Sequence, residues 1–217
     1  MANMSRRQVL TTWMGDDQNV LTTSKFRTDK TPRQITQERY FPNVLLTTHK
    51  GNKVRFYDDL IKNKIVVINF MYANCEGICP GVTANLQKVQ DMLGRRVGRD
   101  IFIYSITLKP EEDSPKDLAH YVQMHRIKPG WLFLTGKPDE VDNLRRRLGF
   151  SDSKPKLDAD KTNHVGMIRY GNEARGWWAM CPGQAHAEWI VKAIKWMDGP
   201  TPVSLRNGSR SSKPLRT

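Results

Sequence analysis

Apolar runs alternate with amphipathic stretches along most of the chain. Residues 64–72 form a continuous apolar run rich in β-branched side chains, which predicts a fully buried strand. Residues 101–106 and 131–134 predict two further buried strands. Each run is followed by a segment whose apolar side chains recur three or four positions apart, as in an amphipathic helix. These helices are predicted over residues 80–93, 115–126 and 139–148.

Antiparallel hairpins are expected on either side of this strand–helix series. The paired segments are residues 44–47 with 53–57, around Gly51, and residues 165–170 with 176–180, around Gly171 and Asn172. A closing helix over residues 185–197 is expected to bury Trp189, Ile190, Ala193, Ile194 and Met197. Helical crossovers make neighbouring strands parallel, whereas hairpins add antiparallel strands. The pattern therefore predicts the α/β class, with a thioredoxin-like fold, a mixed central sheet flanked by helices, and an N-terminal β-hairpin.

The chain divides into three regions by composition. Residues 1–40 are polar without periodicity and are interpreted as an N-terminal arm that is flexible or wraps the domain. Residues 41–197 carry the periodic segments and predict one thioredoxin-like domain. Residues 198–217 are rich in Ser, Pro, Arg and Lys and predict a basic, disordered tail. A loop rich in Lys and Asp is expected over residues 151–162.

Charge and export signals change this picture little. The 35 Lys and Arg residues exceed the 22 Asp and Glu residues by 13, but the excess is spread along the chain. A solvated basic surface is therefore favoured over nucleic-acid binding, which would need clustered cations interleaved with aromatic residues. No stretch approaches the roughly 20 apolar residues that span a bilayer. Residues 5–10 resemble a twin-arginine export motif, but a polar segment follows, so we expect a degenerate or truncated remnant.

Two of the three cysteines stand at the predicted junction between a buried strand and a helix. Cys75 and Cys79 are separated by three residues, and Cys181 is distant in sequence. A helix N-terminus favours the thiolate form, so both thiols are expected to be activated. Such a pair serves either as a redox dithiol or as half of a soft-metal site, and the spacing favours metal. Cys181 is interpreted as a buried or incidental thiol.

A metal site would need a third ligand, for which five histidines are available. Four of them are interpreted as surface or capping residues: His49, His120, His125 and His186. His164 differs because it stands where a long polar loop meets a predicted strand. In a thioredoxin-like fold that junction lies beside the loop that carries the cysteines. A structural role for His164 stays open on this argument alone.

Four ordered motifs together resemble the Sco (SenC-like) copper-protein family. They are the Cys-Glu-Gly-Ile-Cys-Pro segment at 75–80, residues 105–115, residues 133–136, and the late His164. The resemblance covers roughly residues 41–197. It implies a copper site formed by Cys75, Cys79 and His164, in which thiolates suit Cu(I) and the imidazole allows Cu(II).

The resemblance also implies partners and a location. Members of the family help to assemble the binuclear copper centre of cytochrome c oxidase. The expected partners are therefore a copper acceptor, such as a cytochrome c oxidase subunit, and a copper donor or a thiol reductant. A periplasmic or other extracytoplasmic location is implied, with membrane association only through the acceptor. No nucleic acid is expected among the partners.

Three positions depart from the family pattern. Gly77, Lys109 and Asn163 stand where the family usually carries aspartate, so the ligands are better supported than the client. A basic rim is compatible with a more acidic client. A thiol–disulfide oxidoreductase that acts on client cysteines is the alternative function. A thiol peroxidase would need a Thr or Arg beside the reactive cysteine, and Thr83 is the candidate nearest to the pair.

Overall fold

The computed structural model describes residues 30–160 and 166–199. The chain divides into two units, Met1–Thr31 and Pro32–Thr217, and all the regular elements described here belong to the second. The predicted twin-arginine motif, His164 and most of the C-terminal tail lie outside the described residues. Between residues 30 and 199, excluding 161–165, we find no helix with the length and apolar character needed to cross a bilayer.

Seven strands form one mixed sheet in the order β2-β1-β5-β4-β3-β6-β7. The strands are β1 Leu45–Thr48, β2 Lys53–Arg55, β3 Ile65–Met71, β4 Ile101–Thr107, β5 Trp131–Gly136, β6 Met167–Asn172 and β7 Trp177–Pro182. The helices are α1 Pro32–Tyr40, α2 Cys79–Leu93, α3 Pro115–Met124, α4 Pro138–Arg147, α5 Pro155–Ala159 and α6 Ala187–Trp196. Strands β3, β4 and β5 are parallel, and the remaining pairs are antiparallel. The predicted α/β fold with a mixed sheet is confirmed.

The central strands determine where the site lies. After Ile65, every residue of β3 is buried, as a strand covered on both faces requires. The register pairs Ile65 with Ile101 and Met71 with Thr107, so β3 and β4 end at the same edge of the sheet. The backbone N–H of Leu108 donates to the Met71 carbonyl at 2.7 Å and extends this pairing by one residue. The loops that follow β3 and β4 therefore lie side by side.

The helix starts follow ordinary capping chemistry. Ser114 caps α3 with its hydroxyl, and the Asp117 carboxylate accepts from the Ser114 backbone N–H at 3.0 Å. Pro115 occupies the first turn, where its missing N–H costs nothing. Helix α3 begins at residue 115, as the sequence predicts. This end of the sheet thus holds a well-defined helix beside the loop after β4.

Helix α1 falls within the segment that the sequence assigned to a non-periodic arm. It buries none of its residues and leaves Ile35 exposed, so it lacks the amphipathic pattern that predicts a helix. A side-chain anchor holds it instead: Arg33 donates to the buried carboxylate of Glu173 at 2.7 and 2.5 Å. The hydroxyl of Tyr57 donates to the same carboxylate at 2.8 Å. An ion pair far apart in sequence cannot be predicted from periodicity.

Three local predictions are corrected by the structure. The second hairpin turns at Glu173–Arg175, because β6 continues through Gly171 and Asn172 to pair with Trp178 and Trp177. Gly176 adopts the left-handed conformation that closes this turn. Trp189 was expected in the core, yet it is 51% exposed because the buried face of α6 is formed by other residues. The loop expected over 151–162 contains the short helix α5.

Candidate metal and dithiol site

Strand β3 and helix α2 place the two cysteines. The chain leaves β3 at Met71, turns through a short loop that contains Cys75, and enters α2 at Cys79. Pro80 lies in the first turn of α2, and the preceding Ile78 makes no side-chain capping hydrogen bond. Both cysteines are buried as free thiols, with Cys75 8% and Cys79 2% exposed. The structure therefore brings Cys75 and Cys79 together at the carboxyl end of β3, as the sequence predicted.

The two thiols differ in their tendency to ionise. Burial opposes ionisation of Cys75, but hydrogen bonds from the Cys79 thiol and backbone, the Tyr72 hydroxyl and the Gly77 backbone outweigh it and lower its pKa. Burial raises the pKa of Cys79 strongly, and its hydrogen bond to Cys75 raises it further. A negative charge on Cys75 also disfavours a second one nearby. Cys75 is thus the thiol of the pair that loses its proton first.

The sequence prediction that both thiols are activated is therefore wrong for Cys79. The helix N-terminus alone suggested a lowered pKa at either position. Cys79 is deeper in the core than Cys75, and its S–H donates a hydrogen bond to the Cys75 sulfur. Burial and the neighbouring thiolate together outweigh the helix dipole.

Tyr72 contacts Cys75, and Lys109 contacts Tyr72; the sequence analysis missed both contacts. The Tyr72 hydroxyl hydrogen-bonds to Cys75, and this bond, followed by burial, raises the pKa of Tyr72 to about 12. The Lys109 ammonium lies 4.8 Å from the centre of the Tyr72 ring and 3.1 Å from the carboxylate of Glu112. Lys109 occupies one of the positions where the family resemblance suggests aspartate. Its charge is partly balanced by Glu112, so the basic rim is milder than the sequence implied.

Asp113 fastens the cysteine loop to the loop after β4. Its carboxylate accepts from the backbone N–H of Ala73 at 3.0 Å and from the hydroxyl of Thr107. Asp113 is 2% exposed, and burial raises its pKa although both hydrogen bonds oppose the change. In the sequence, Asp113 stands in the loop between β4 and α3 and within the motif of residues 105–115, but its contact with Ala73 depends on the sheet register. Asp113 holds the backbone two residues before Cys75 in place.

The third predicted ligand, His164, lies outside the described residues. The nearest described residue on its C-terminal side is Gly166, which packs against Ile78 and Val82 of the cysteine segment so closely that a Cβ atom there would overlap Ile78. The backbone N–H of Gly183 donates to the Gly166 carbonyl at 2.7 Å and holds this contact. Within residues 30–160 and 166–199, no three His, Cys, Asp or Glu side chains are grouped to hold a metal ion.

Thr83 does not serve the thiols directly. It lies one turn after Cys79 and is 1% exposed, and its hydroxyl is 2.9 Å from that of Tyr121, with which it shares a hydrogen bond. The thiol-peroxidase alternative requires a Thr or Arg directed toward the reactive sulfur. The Thr83 hydroxyl is engaged elsewhere, so the structure offers no support for the thiol-peroxidase alternative.

The difference between the thiols predicts selective alkylation. We expect iodoacetamide at pH 7 to label Cys75 of the reduced protein at least about tenfold faster than Cys79, because the thiolate is the reactive form. Cys181 is buried, and burial raises its pKa to about 11, so it should also react slowly. Peptide mass spectrometry over a time course measures the three rates, and labelling in urea supplies the control. Equal native rates at Cys75 and Cys79 would contradict the asymmetry.

A mixed sheet covered by helices, with two hydrogen-bonded thiols between its central strand and the next helix, defines a thioredoxin-like dithiol protein. The SCO1/SenC family model matches residues 32–198. The chain therefore belongs to the SCO1/SenC family. The match begins at the first residue of α1, nine residues before the domain boundary suggested by the sequence.

Two curated relatives illustrate the similarity. Protein sco1 of Schizosaccharomyces pombe is 28% identical over 121 residues, which cover 55% of this chain and 44% of that protein. The SCO1 protein homolog of Bacillus subtilis is 34% identical over 77 residues, which cover 35% of this chain and 39% of that protein. The matched part of the chain spans less than half the length of either relative.

Two solved structures share the fold. Yeast Sco1 with copper bound gives a TM-score of 0.57 at 23% identity and covers 75% of this chain and 94% of that one. BsSco, a member of the Sco family of cytochrome c oxidase assembly proteins in which a disulfide switch was identified, gives a TM-score of 0.59 at 22% identity. That comparison covers 73% of this chain and 92% of BsSco.

Proposed function

We propose that this protein is a copper metallochaperone of the Sco type. The observation that carries the proposal is the hydrogen-bonded pair of buried thiols, Cys75 and Cys79, at the start of α2. Thiolates are the ligands that Cu(I) prefers, and the two thiols release their protons when they bind a metal ion. The copper bound to yeast Sco1, which has the same fold, supports this assignment.

His164 is proposed as the third ligand. The support is the contact of Gly166 with Ile78, the residue that precedes Cys79. A span of two residues reaches at most about 7 Å, so the contact of Gly166 with Ile78 limits how far a ligand at position 164 can lie from the cysteine segment. An imidazole added to two thiolates gives a donor set that accommodates both Cu(I) and Cu(II).

The proposed partners follow from the relatives. BsSco is a member of a family of cytochrome c oxidase assembly proteins, so we propose an acceptor with a copper centre, such as a cytochrome c oxidase subunit. The cysteine pair must be reduced before it binds copper, because an oxidised pair cannot supply thiolates. A copper donor or a thiol reductant is therefore proposed as the partner that acts before the acceptor. An extracytoplasmic location is proposed, in line with a SCO1/SenC family lipoprotein of Bacillus anthracis that has the same fold.

A thiol–disulfide oxidoreductase is the second candidate, and the unequal environments of the two thiols favour it. Cys75 would attack a client disulfide, forming a mixed disulfide and releasing one client thiolate. The Cys79 sulfur would then attack Cys75, releasing the second client thiolate and leaving a Cys75–Cys79 disulfide. Two electrons and two protons pass from the pair to the client. A thiol reductant must then restore the pair.

Anaerobic titration of the reduced protein with Cu(I) and with Cu(II) tests the proposed function. We expect about one copper per chain, lost in Cys75→Ser and Cys79→Ser and weakened for Cu(II) in His164→Ala. Cys181→Ser is the matched control, because it removes a buried thiol outside the pair. Full copper binding by His164→Ala in both oxidation states would contradict the three-ligand site. Failure to bind copper, with rapid reduction of a model disulfide, would favour the oxidoreductase instead.

A further inference from the structure

Three tryptophans are exposed on one side of the domain. Trp177 is 43%, Trp189 51% and Trp196 76% exposed. Tryptophan is highly buried on average, so three exposed indoles in one region need an explanation. We call this surface the tryptophan–cation face and define it by Trp177, Trp189 and Trp196 with Arg175, Lys192 and Lys195.

The tryptophans lie close together in the fold. Trp189 and Trp196 are seven residues apart on α6, which places them on the same side of the helix, about 10 Å apart along its axis. Trp196 and Trp177 line one open cleft of about 340 Å³ together with Lys195 and Gly199. Strand β7, which begins at Trp177, is the outermost strand of the sheet. Trp177 and Trp196 therefore form one aromatic surface at the end of α6 and the start of β7, and Trp189 lies two turns away on the same side of α6.

Cations are interleaved with these indoles. The guanidinium of Arg175 lies 5.2 Å from the centre of the Trp177 ring, and Lys192 is exposed between Trp189 and Trp196 along α6. At the end of α6, Asp198 is held by Arg96 at 2.6 Å, so its charge is offset. Glu188, which precedes Trp189 on α6, is exposed and carries the opposite charge. Arg175, Lys192 and Lys195 outnumber it, so the tryptophan–cation face keeps a net positive charge.

Two of the three indoles, Trp177 and Trp196, lie at the opposite end of β3 from the thiols. Asn172 pairs with Ile65 at the start of β3, and its side-chain amide donates to the Met197 carbonyl at the end of α6 at 2.8 Å. Trp189 lies near the start of α6, closer to the end of the sheet that carries the cysteine loop. Seven residues of strand span about 20 Å, so a surface that covers the Trp177 and Trp196 end of the face leaves the cysteine loop accessible to a client.

We propose that the tryptophan–cation face docks on an anionic phospholipid surface. Indole rings flanked by lysine and arginine are the combination that anchors proteins at the membrane interface, where the ring sits at headgroup depth and the cations meet lipid phosphates. A protein partner fits less well, because lysine is depleted at protein–protein interfaces while two lysines stand among these indoles. The proposal adds a direct membrane contact to the expectation that membrane association runs only through the acceptor. It does not depend on copper binding.

Vesicle flotation with the full 217-residue chain tests the proposal. We expect the protein to float with phosphatidylglycerol–phosphatidylcholine vesicles in 0.1 M salt and to remain behind with pure phosphatidylcholine. Brominated acyl chains in the anionic vesicles should quench tryptophan fluorescence, because the indoles contact the acyl boundary. Absence of flotation with the anionic vesicles overturns the proposal.

Two surface variants distinguish vesicle binding through the tryptophan–cation face from binding through the overall basic charge of the protein. Lys192→Glu/Lys195→Glu should weaken partitioning at least about thirtyfold, since each basic residue contributes about 1 kcal/mol near an anionic surface. Trp189→Ser/Trp196→Ser should reduce quenching to the share contributed by Trp177 and weaken partitioning about tenfold. The matched controls are Lys137→Glu and Met124→Ser, which change an exposed lysine and an exposed apolar side chain elsewhere and should bind as the unchanged protein does.

Unaltered flotation of Trp189→Ser/Trp196→Ser would overturn the proposal, since binding would then depend on charge alone. Sedimentation equilibrium without lipid supplies a further check. A self-associating protein whose dimer is lost in the same tryptophan variant would assign the face to a second copy of the chain, which also overturns the lipid assignment. The copper titration described above is independent of all these outcomes.

Discussion

Replacing Asp158 with asparagine is expected to lower the free energy of unfolding by about 3 kcal/mol at pH 7. The Asp158 carboxylate accepts from Arg145 at 2.5 and 2.8 Å, and both side chains are at most 5% exposed. It also accepts from the backbone N–H of Asp152 at 2.9 Å. Removing the Asp158 charge leaves the buried Arg145 guanidinium to be compensated by the partly exposed carboxylate of Asp142, and breaking a buried pair costs more than the pair itself contributes. The pair joins α4 to the segment that leads toward His164.

The same pair makes the loss depend on pH. The hydrogen bond from Arg145, only partly opposed by burial, lowers the pKa of Asp158 from its ordinary value of 3.8 to about 2. A carboxyl whose pKa is lowered in the folded state adds stability above its unfolded-state pKa and loses it as the pH falls through the folded-state value. The part of the free energy of unfolding that depends on the Asp158 charge, about 2 kcal/mol, should therefore be lost as the pH falls from 4 to 2.

Urea unfolding of both proteins at pH 7, 4 and 3 measures this effect. The difference in free energy of unfolding between wild type and Asp158→Asn should be largest at pH 7 and should become smaller as the pH falls. Asp142→Asn is the matched control, because Asp142 also accepts from Arg145 but is 35% exposed. The Asp142→Asn change should lower the free energy of unfolding by no more than about 1 kcal/mol. A difference for Asp158→Asn that stays constant from pH 7 to pH 3 would contradict the lowered pKa.

The central part of the fold follows from the sequence because its signals are local. An apolar run such as residues 64–72 is too short for a membrane helix and too uniformly apolar for an exposed strand, so burial on both faces is the remaining choice. Ser114 and Pro115 likewise mark the start of α3 by a local signal, an N-cap residue followed by a proline. The two cysteines lie between β3 and α2, so the prediction of these two elements also predicted that the cysteines are close together. The order of the outer strands was not, since it depends on pairing across the sheet.

Features that depend on long-range contacts could not be predicted. Helix α1 is held by the Arg33–Glu173 ion pair across 140 residues. Trp189 fits the helical repeat of α6 as well as its buried neighbours do, and only the orientation of α6 on α2 leaves it exposed. The unequal thiol pKa values likewise depend on the depth of Cys79 and on the hydroxyl of Tyr72. Each depends on a partner that the local pattern does not specify.

Replacing Gly183 with alanine is expected to weaken Cu(II) binding about tenfold and to lower the free energy of unfolding by about 2 kcal/mol. An alanine Cβ would lie 2.8 Å from Val82 Cγ1 of α2 and 2.9 Å from the carbonyl oxygen of Gly166. The second contact is with backbone that already accepts a hydrogen bond from the Gly183 N–H at 2.7 Å, so it cannot yield without displacing the chain. Under the proposed function, the segment that begins two residues before Gly166 supplies the imidazole ligand.

The two oxidation states of copper separate a local displacement from general loosening of the fold. Cu(I) is satisfied by the two thiolates, so Gly183→Ala should weaken Cu(I) binding less than Cu(II) binding. In a His164→Ala background, the added effect on Cu(II) should vanish, because the ligand that the change displaces is already absent. Gly77→Ala is the matched control: its Cβ would lie 3.9 Å from Cys75 Sγ, an ordinary contact closer to the thiols. Equal losses of Cu(I) and Cu(II) affinity in Gly183→Ala would mean that the contact supports the thiols themselves and not the third ligand.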